Sequence, residues 1–182
     1  MKAIPTLYKG IEFRSRLEAD AASFFDSLGI RWLYEPQGFL LPSGHYLPDF
    51  YLTELLMWVE VKGQDRFGFH YSTTAREFVK LLDGRNKDKT SRGESFLILS
   101  DNAVVCWEPI CCQTVGCLYL GEYVSLLKGC SACNISCSIF TQEGNYNCKV
   151  CGNRIDFDKA ITVPFLKEWQ AFRNKTHPKR MF

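Results

Sequence analysis

Long apolar runs are missing from this chain of 182 residues. No stretch reaches the roughly 20 residues that a membrane-crossing helix needs, and residues 1–6, MKAIPT, hold no hydrophobic signal segment. An intracellular protein is the expectation, with no membrane partner. Thiols stay reduced inside cells, so the nine cysteines argue for metal ligation or core packing rather than disulfides. Strong charge of one sign is lacking too. The formal net charge is only +2, so composition alone does not announce a nucleic-acid binder. Histidine is scarce, and His45 and His70 read as hairpin and loop residues without evident partners. Repeats and low-complexity tracts are absent. What is present is apolar and aromatic: 46% hydrophobic and 14% aromatic residues exclude global disorder. The length allows one full domain and a small accessory one.

Charge is uneven at one end. Residues 159–182 carry Lys159, Lys167, Arg173, Lys175, Lys179 and Arg180 against Glu168 alone. That tail reads either as a solvated terminus or as an arm that contacts phosphates.

Hydrophobic spacing orders the first hundred residues. Leu17, Ala21, Phe24, Phe25 and Leu28 form a stripe at helical spacing, Ser15 and Glu18 match a capping box, and Gly29 is a stop. A helix is predicted over 15–28. Residues 31–35 read as a strand, 39–41 and 45–52 as a hairpin around Pro42-Ser43-Gly44, and 57–62 as another strand. Ala75, Phe78, Val79 and Leu82 predict a helix over 72–82 that ends before Gly84, and 95–99 a short apolar strand. The order is helix, three strands, helix, strand. It predicts an α/β fold with a mixed sheet flanked by helices. Between 101 and 123, one or two more strands are expected, and Cys106, Cys111, Cys112 and Cys117 read more simply as buried thiols than as a metal site. Further on, Phe165, Leu166, Trp169 and Phe172 share one side of a helix that opens at Pro164 and packs back on the main domain.

Residues 128–155 differ in character. Cys130 and Cys133 form one Cys-x2-Cys pair, and Cys148 and Cys151 form a second after fourteen residues. Two such pairs match a four-cysteine zinc site, since each can wrap a tight turn that aims both sulfurs at one ion. Thiolates in tetrahedral array select zinc or iron over magnesium. Cys137 is a nearby substitute without a mate. The organisation expected is a main domain over 1–125, a zinc ribbon over 126–156, and a helix with a basic tail over 157–182.

The sharpest pattern joins Asp49, Glu60 and Lys62. Alternation along 57–62 places Glu60 and Lys62 on one face with Trp58, and Val59 and Val61 on the other. Two carboxylates from adjacent strands and one amine are what magnesium-assisted phosphodiester cleavage requires. Each residue has a plainer role. Asp49 after Pro48 can start a turn, Glu60 and Lys62 can be the polar face of an edge strand, and Glu18 is explained by capping alone. Taken singly these roles suffice, but they leave the convergence of Asp49, Glu60 and Lys62 unexplained.

Pro48-Asp49 followed by Glu60-Val61-Lys62, with ten residues between the acids, resembles the PD-(D/E)xK nuclease superfamily. Arg14-Ser15-Arg16-Leu17-Glu18 supplies the upstream helical acid of many members, and the resemblance covers about residues 8–100. It is similar in layout to resolvase-like and phage-type nucleases, some of which carry zinc-binding tails. The resemblance implies a restriction-endonuclease-like αβββαβ core. It also implies a site that binds Mg2+ or Mn2+ through Asp49, Glu60, the Val61 carbonyl and Glu18, with Lys62 supporting the attacking water. The implied activity is hydrolysis of DNA, double-stranded or branched, leaving a 5′-phosphate, in the cytoplasm of a bacterial or phage-infected cell. Lys9, Arg14, Arg16, Gln64, Arg66, Lys175, Lys179 and Arg180 are candidate phosphate contacts, Zn2+ is the structural metal of the ribbon, and a homodimer is one arrangement that would cut both strands. An inactive binding or assembly module of the same fold and an RNA-directed nuclease are the alternatives.

Overall fold

The computed structural model describes residues 3–63, 72–85, 94–100 and 161–177, together with strand segments 104–107, 118–120, 125–128 and 138–140. A hairpin comes first, β1 (Thr6–Tyr8) paired with β2 (Ile11–Phe13). Its turn residues Lys9 and Gly10 have φ of 49° and 80°, the doubly positive backbone that a two-residue hairpin loop favours. Helix α1 (Arg16–Ser27) follows. The Ser15 hydroxyl accepts the Glu18 backbone N–H at 3.2 Å. The Glu18 carboxylate accepts hydrogen bonds from the Ser15 hydroxyl and from the Arg14 backbone N–H, the latter one residue earlier than in a standard capping box.

The main sheet has six strands. In chain order they are β3 (Trp32–Tyr34), β6 (Phe50–Leu52), β7 (Met57–Lys62), β8 (Ser95–Ser100), β9 (Val104–Trp107) and β10 (Leu118–Leu120). In space they run β10-β9-β8-β7-β6-β3, parallel only between β7 and β8. The parallel step is bridged by helix α2 (Thr73–Arg85), as a crossover requires. Strands β4 (Phe39–Leu41) and β5 (Gly44–Tyr46) form a separate hairpin. The strand expected over 45–52 is therefore two strands in two sheets, broken at Pro48-Asp49. Proline has no N–H to donate to a ladder, so the chain leaves one sheet there and enters another. Helix α2 also runs through Gly84 to Arg85. A helical glycine costs only about 1 kcal/mol relative to alanine and need not end a helix.

Two apolar layers sandwich the sheet. Met57, Val59, Val61, Leu97 and Leu99 face α1 and meet Phe13, Phe24, Phe25 and Trp169. Trp58, Phe96 and Ile98 face α2 and the β4–β5 hairpin, meeting Phe39, Tyr46 and Phe78. The alternation read along 57–62 is thus the alternation observed. Helix α3 (Phe165–Thr176) closes the first layer. Trp169 is fully enclosed against Phe24 and donates its indole N–H to the Ser100 carbonyl at 2.7 Å.

The described residues thus form a mixed α/β structure with three helices and several sheets. A three-stranded sheet, β12 (Ser138–Phe140), β11 (Ser125–Lys128) and β13 (Ile161–Pro164) in spatial order, is drawn from the stretch of chain whose sequence holds the paired cysteines. Cys130, Cys133, Cys148 and Cys151 lie outside the described residues, as do Cys111, Cys112, Cys117 and Cys137. Among the described residues, no helix is long and apolar enough to cross a membrane.

Candidate active site

Strand register builds the site. Phe50 pairs with Tyr34 on one side and with Val59 on the other. One step further along, the same registers set Glu35, Asp49 and Glu60 in a row across β3, β6 and β7. A backbone hydrogen bond from Glu35 N to the Asp49 carbonyl, 2.9 Å, holds two members of the row together. Helix α1 adds Glu18 from the Val61 side of the sheet, and the β4–β5 hairpin adds Tyr46 from the Trp58 side.

Asp49, Glu60 and Glu18 are each fixed by named donors. Asp49 is 2% exposed and Glu60 3%, so neither can rely on water for solvation. Asp49 Oδ2 accepts the Val61 N–H at 2.6 Å, and Oδ1 accepts Arg14 Nη2 at 2.5 Å. Glu60 Oε2 accepts the Tyr46 hydroxyl at 2.7 Å, and Oε1 pairs with Lys62 Nζ. Glu18 Oε2 accepts the Tyr34 hydroxyl at 2.7 Å and lies 3.9 Å from Arg14 Nε. Glu35 Oε1 lies 2.8 Å from Arg14 Nη2, yet it is enclosed and accepts no aligned hydrogen bond. That contact is an ion pair, not a directed bond.

Four carboxylates here face two cations, Arg14 and Lys62. With all six ionised, two negative charges are left over, which is the charge of one divalent ion. The strain of this surplus falls on Asp49. Burial pushes its carboxyl up, to about 8, and repulsion from Glu60 adds to it; the Val61 N–H opposes the rise, Glu18 reinforces it and Lys62 opposes it. The Arg14 guanidinium at 2.5 Å also favours the ionised form. Burial and the Glu60 charge likewise push the Tyr46 phenol well above its ordinary value, while burial and the hydrogen bond to Glu18 push Tyr34 up to about 12. Both phenols therefore stay protonated and act as donors. Partial burial acts to lower the Arg14 pKa, but the Tyr34 hydroxyl and the surrounding carboxylates outweigh it and raise it.

Glu18, Asp49, Glu60 and Lys62 are thus brought to one place, and Val61 joins them through its backbone N–H. Among the described residues, however, no three His, Cys, Asp or Glu side chains stand ready to grip one ion as placed. The acid oxygens are occupied by the Arg14 and Lys62 side chains, two tyrosines, the Ser15 hydroxyl and the backbone N–H groups of Val61 and Arg14. Of the residues expected to meet phosphate, Arg14 sits inside the acid cluster. Arg16 contacts His177 Nδ1, and Lys9 pairs with Asp26 at 2.8 Å. Lys175 is exposed in the last turn of α3. Gln64, Arg66, Lys179 and Arg180 lie outside the described residues.

Sequence reasoning passed over Tyr34, Glu35 and Tyr46. The available signal was their position at the ends of strands that bracket Asp49: Tyr46 precedes it by three residues, and Tyr34-Glu35 ends the strand beside it. No protein-family model matches the chain, and no curated protein and no solved structure does so either.

Proposed function

We propose that the chain is a metal-dependent nuclease that hydrolyses phosphodiester bonds in DNA, acting as an endonuclease. The observation that carries this reading is the row of acids: Asp49, just before β6, and Glu60, on the neighbouring β7, both nearly wholly buried, Glu18 beside them, and more carboxylate than cation. A surplus of buried negative charge is costly unless a cation relieves it. The donors are hard oxygens, which suits Mg2+ or Mn2+. Asp49, Glu60 and Glu18 are the residues to hold the ion. When bound, it supplies Lewis-acid polarisation of the phosphodiester and lowers the pKa of water at the site.

The chain's own groups do the rest. Lys62, held beside Glu60, is the amine placed to orient the attacking water and to offset charge on the phosphate. Tyr46 and the Val61 N–H fix the rotamers of Glu60 and Asp49; Tyr34 and Ser15 fix Glu18. Support for the superfamily reading comes from the order α1, β3, β6, β7, α2, β8 within the main sheet, which agrees with the αβββαβ core it implies. The four-cysteine zinc ribbon remains part of the proposal on the spacing of Cys130, Cys133, Cys148 and Cys151, with the basic tail as a phosphate-contacting arm. Metal analysis is expected to give about one zinc per chain, lost in Cys148→Ser; two zincs would instead implicate the cysteines between 106 and 117.

Nicking of supercoiled plasmid tests the activity. Cleavage is expected with Mg2+, not with chelator, and Asp49→Asn is expected to lose it while still binding DNA. Equal cleavage by that variant removes the catalytic assignment. Matched duplex DNA and RNA substrates decide between the DNA and RNA readings.

A further inference from the structure

Glu35 carries two oddities that nucleolytic chemistry at Asp49 and Glu60 does not use. Its backbone has φ of +45°, in the left-handed region where residues other than glycine are uncommon. Its Oε1 is enclosed and takes no aligned hydrogen bond. Strained backbone and an unsatisfied buried oxygen persist only where surrounding structure enforces them, and they cluster at working sites. Here the enforcing contact is Glu35 N to the Asp49 carbonyl, 2.9 Å, which aims the Glu35 side chain toward the same place as Asp49. Arg14 fills that place. One nitrogen, Nη2, lies 2.5 Å from Asp49 Oδ1 and 2.8 Å from Glu35 Oε1, while the side chain as a whole is 56% exposed. A guanidinium shared between two carboxylates, on a side chain more than half exposed, occupies the position of a counter-cation.

We propose that Arg14 is a movable counter-cation: it neutralises Asp49 in the metal-free chain, yields that carboxylate to the divalent ion, and stays tethered by Glu35 with its free N–H groups turned to the substrate phosphate. This inference rests on the nuclease reading and deepens it. Arginine suits the task because its five donors form a rigid fork. One edge can keep Glu35 while the other meets a phosphate oxygen. Glu35 gives the arginine somewhere to remain once Asp49 is taken, which accounts for a charged residue at a backbone position better suited to glycine. Ion binding and phosphate binding are then coupled through one side chain, and neither the ion nor the duplex is met by the site as it stands alone.

Calorimetry with Ca2+, which binds without requiring turnover, separates the steps. Arg14→Gln is expected to bind Ca2+ about tenfold more tightly, since the competitor is gone, while its affinity for a short duplex at saturating Ca2+ falls about tenfold. Arg14→Lys keeps a charge without the fork, so it is expected to restore the weaker Ca2+ affinity but not duplex binding. Glu35→Gln retains the shape and removes the tether. It is expected to weaken both affinities, because the arginine then has Asp49 as its remaining close partner, and it stands as the second test should Arg14→Gln fail to fold. With Mg2+ and plasmid, the Arg14→Gln loss is expected mainly in KM. Unchanged or weaker Ca2+ binding by Arg14→Gln, in a chain whose wild type binds the ion, overturns the inference and leaves the nuclease reading standing. A wild-type chain that binds no Ca2+ and cuts no DNA with Mg2+ overturns the nuclease reading itself, and the inference with it.

Discussion

Glu18 and Asp20 sit two residues apart on α1 and enter two different ionic clusters. Asp20 faces α3. Its carboxylate takes Arg173 Nη1, and His177 Nε2 lies 2.9 Å from both its oxygens, with Arg16 against the other His177 nitrogen. One acid there meets Arg173 and His177, with Arg16 bound to the histidine, so no negative charge is left to satisfy. Glu18 faces the acid row, where four carboxylates share two cations. The first cluster is complete as it stands and ties two helices together. With all its groups ionised, the second is incomplete by the charge of a divalent ion. The same helix therefore carries a clamp and a site, and charge balance tells them apart where residue type does not.

The widest separation between the two clusters is expected in activity. Asp49→Asn is expected to lower plasmid cleavage by about 10^3-fold or more, yet to leave the melting temperature unchanged or raised. The amide oxygen still accepts the Val61 N–H, and relief of the repulsion with Glu60 offsets the lost ion pair with Arg14. A melting temperature that falls as steeply as activity would make Asp49 structural and dissolve the distinction. On the clamp side, Trp169→Ala is expected to cost about 3–5 kcal/mol by chemical denaturation, from the cavity against Phe24 and the lost bond to Ser100. Its residual folded fraction is expected to keep its Ca2+ affinity. Asp20→Asn is a gentler probe of the same junction. A loss of about 1–2 kcal/mol with ordinary cleavage is expected, and loss of cleavage without loss of stability would move Asp20 into the site.

The smallest effect is a pH dependence. Asp49 in the folded chain titrates above its ordinary value, so folding favours its protonated form. That contribution is whole below about pH 4 and is lost as pH rises through about 8. A divalent ion needs the ionised carboxylate. The rise in melting temperature caused by Ca2+ is therefore expected to grow between about pH 5.5 and about pH 8.5. A rise that is flat across this range would place the ion elsewhere.

Much of this was legible in residue spacing, and the rest was hidden for identifiable reasons. The apolar stripe of α1, the two-faced alternation of β7 and the apolar face of α2 each span enough residues for periodicity to speak. Strands β1 and β2 do not; with three residues each, their hairpin is marked only by Lys9-Gly10. The break at Pro48-Asp49 was readable in principle from the proline, but 45–52 carries strand-forming residues on both sides and reads as one segment. Asp49, Glu60 and Lys62 were found because their spacing has chemical meaning along the chain. Glu35 and Tyr46 have none along the chain. They join the site through register and through a hairpin folded over the sheet, and such information exists only once strands are paired. Arg14 was legible as a basic residue beside Glu18, but not as the cation shared by Asp49 and Glu35.

Crystals grown with Mn2+ offer the most direct test, because the anomalous signal of the ion locates it independently of the surrounding atoms. The account predicts a peak coordinated by carboxylate oxygens of Asp49 and Glu60, with Arg14 withdrawn from Asp49 and still beside Glu35. Full occupancy of Mn2+ elsewhere on the molecule, with Asp49 still held by Arg14 and the Val61 N–H, would contradict it.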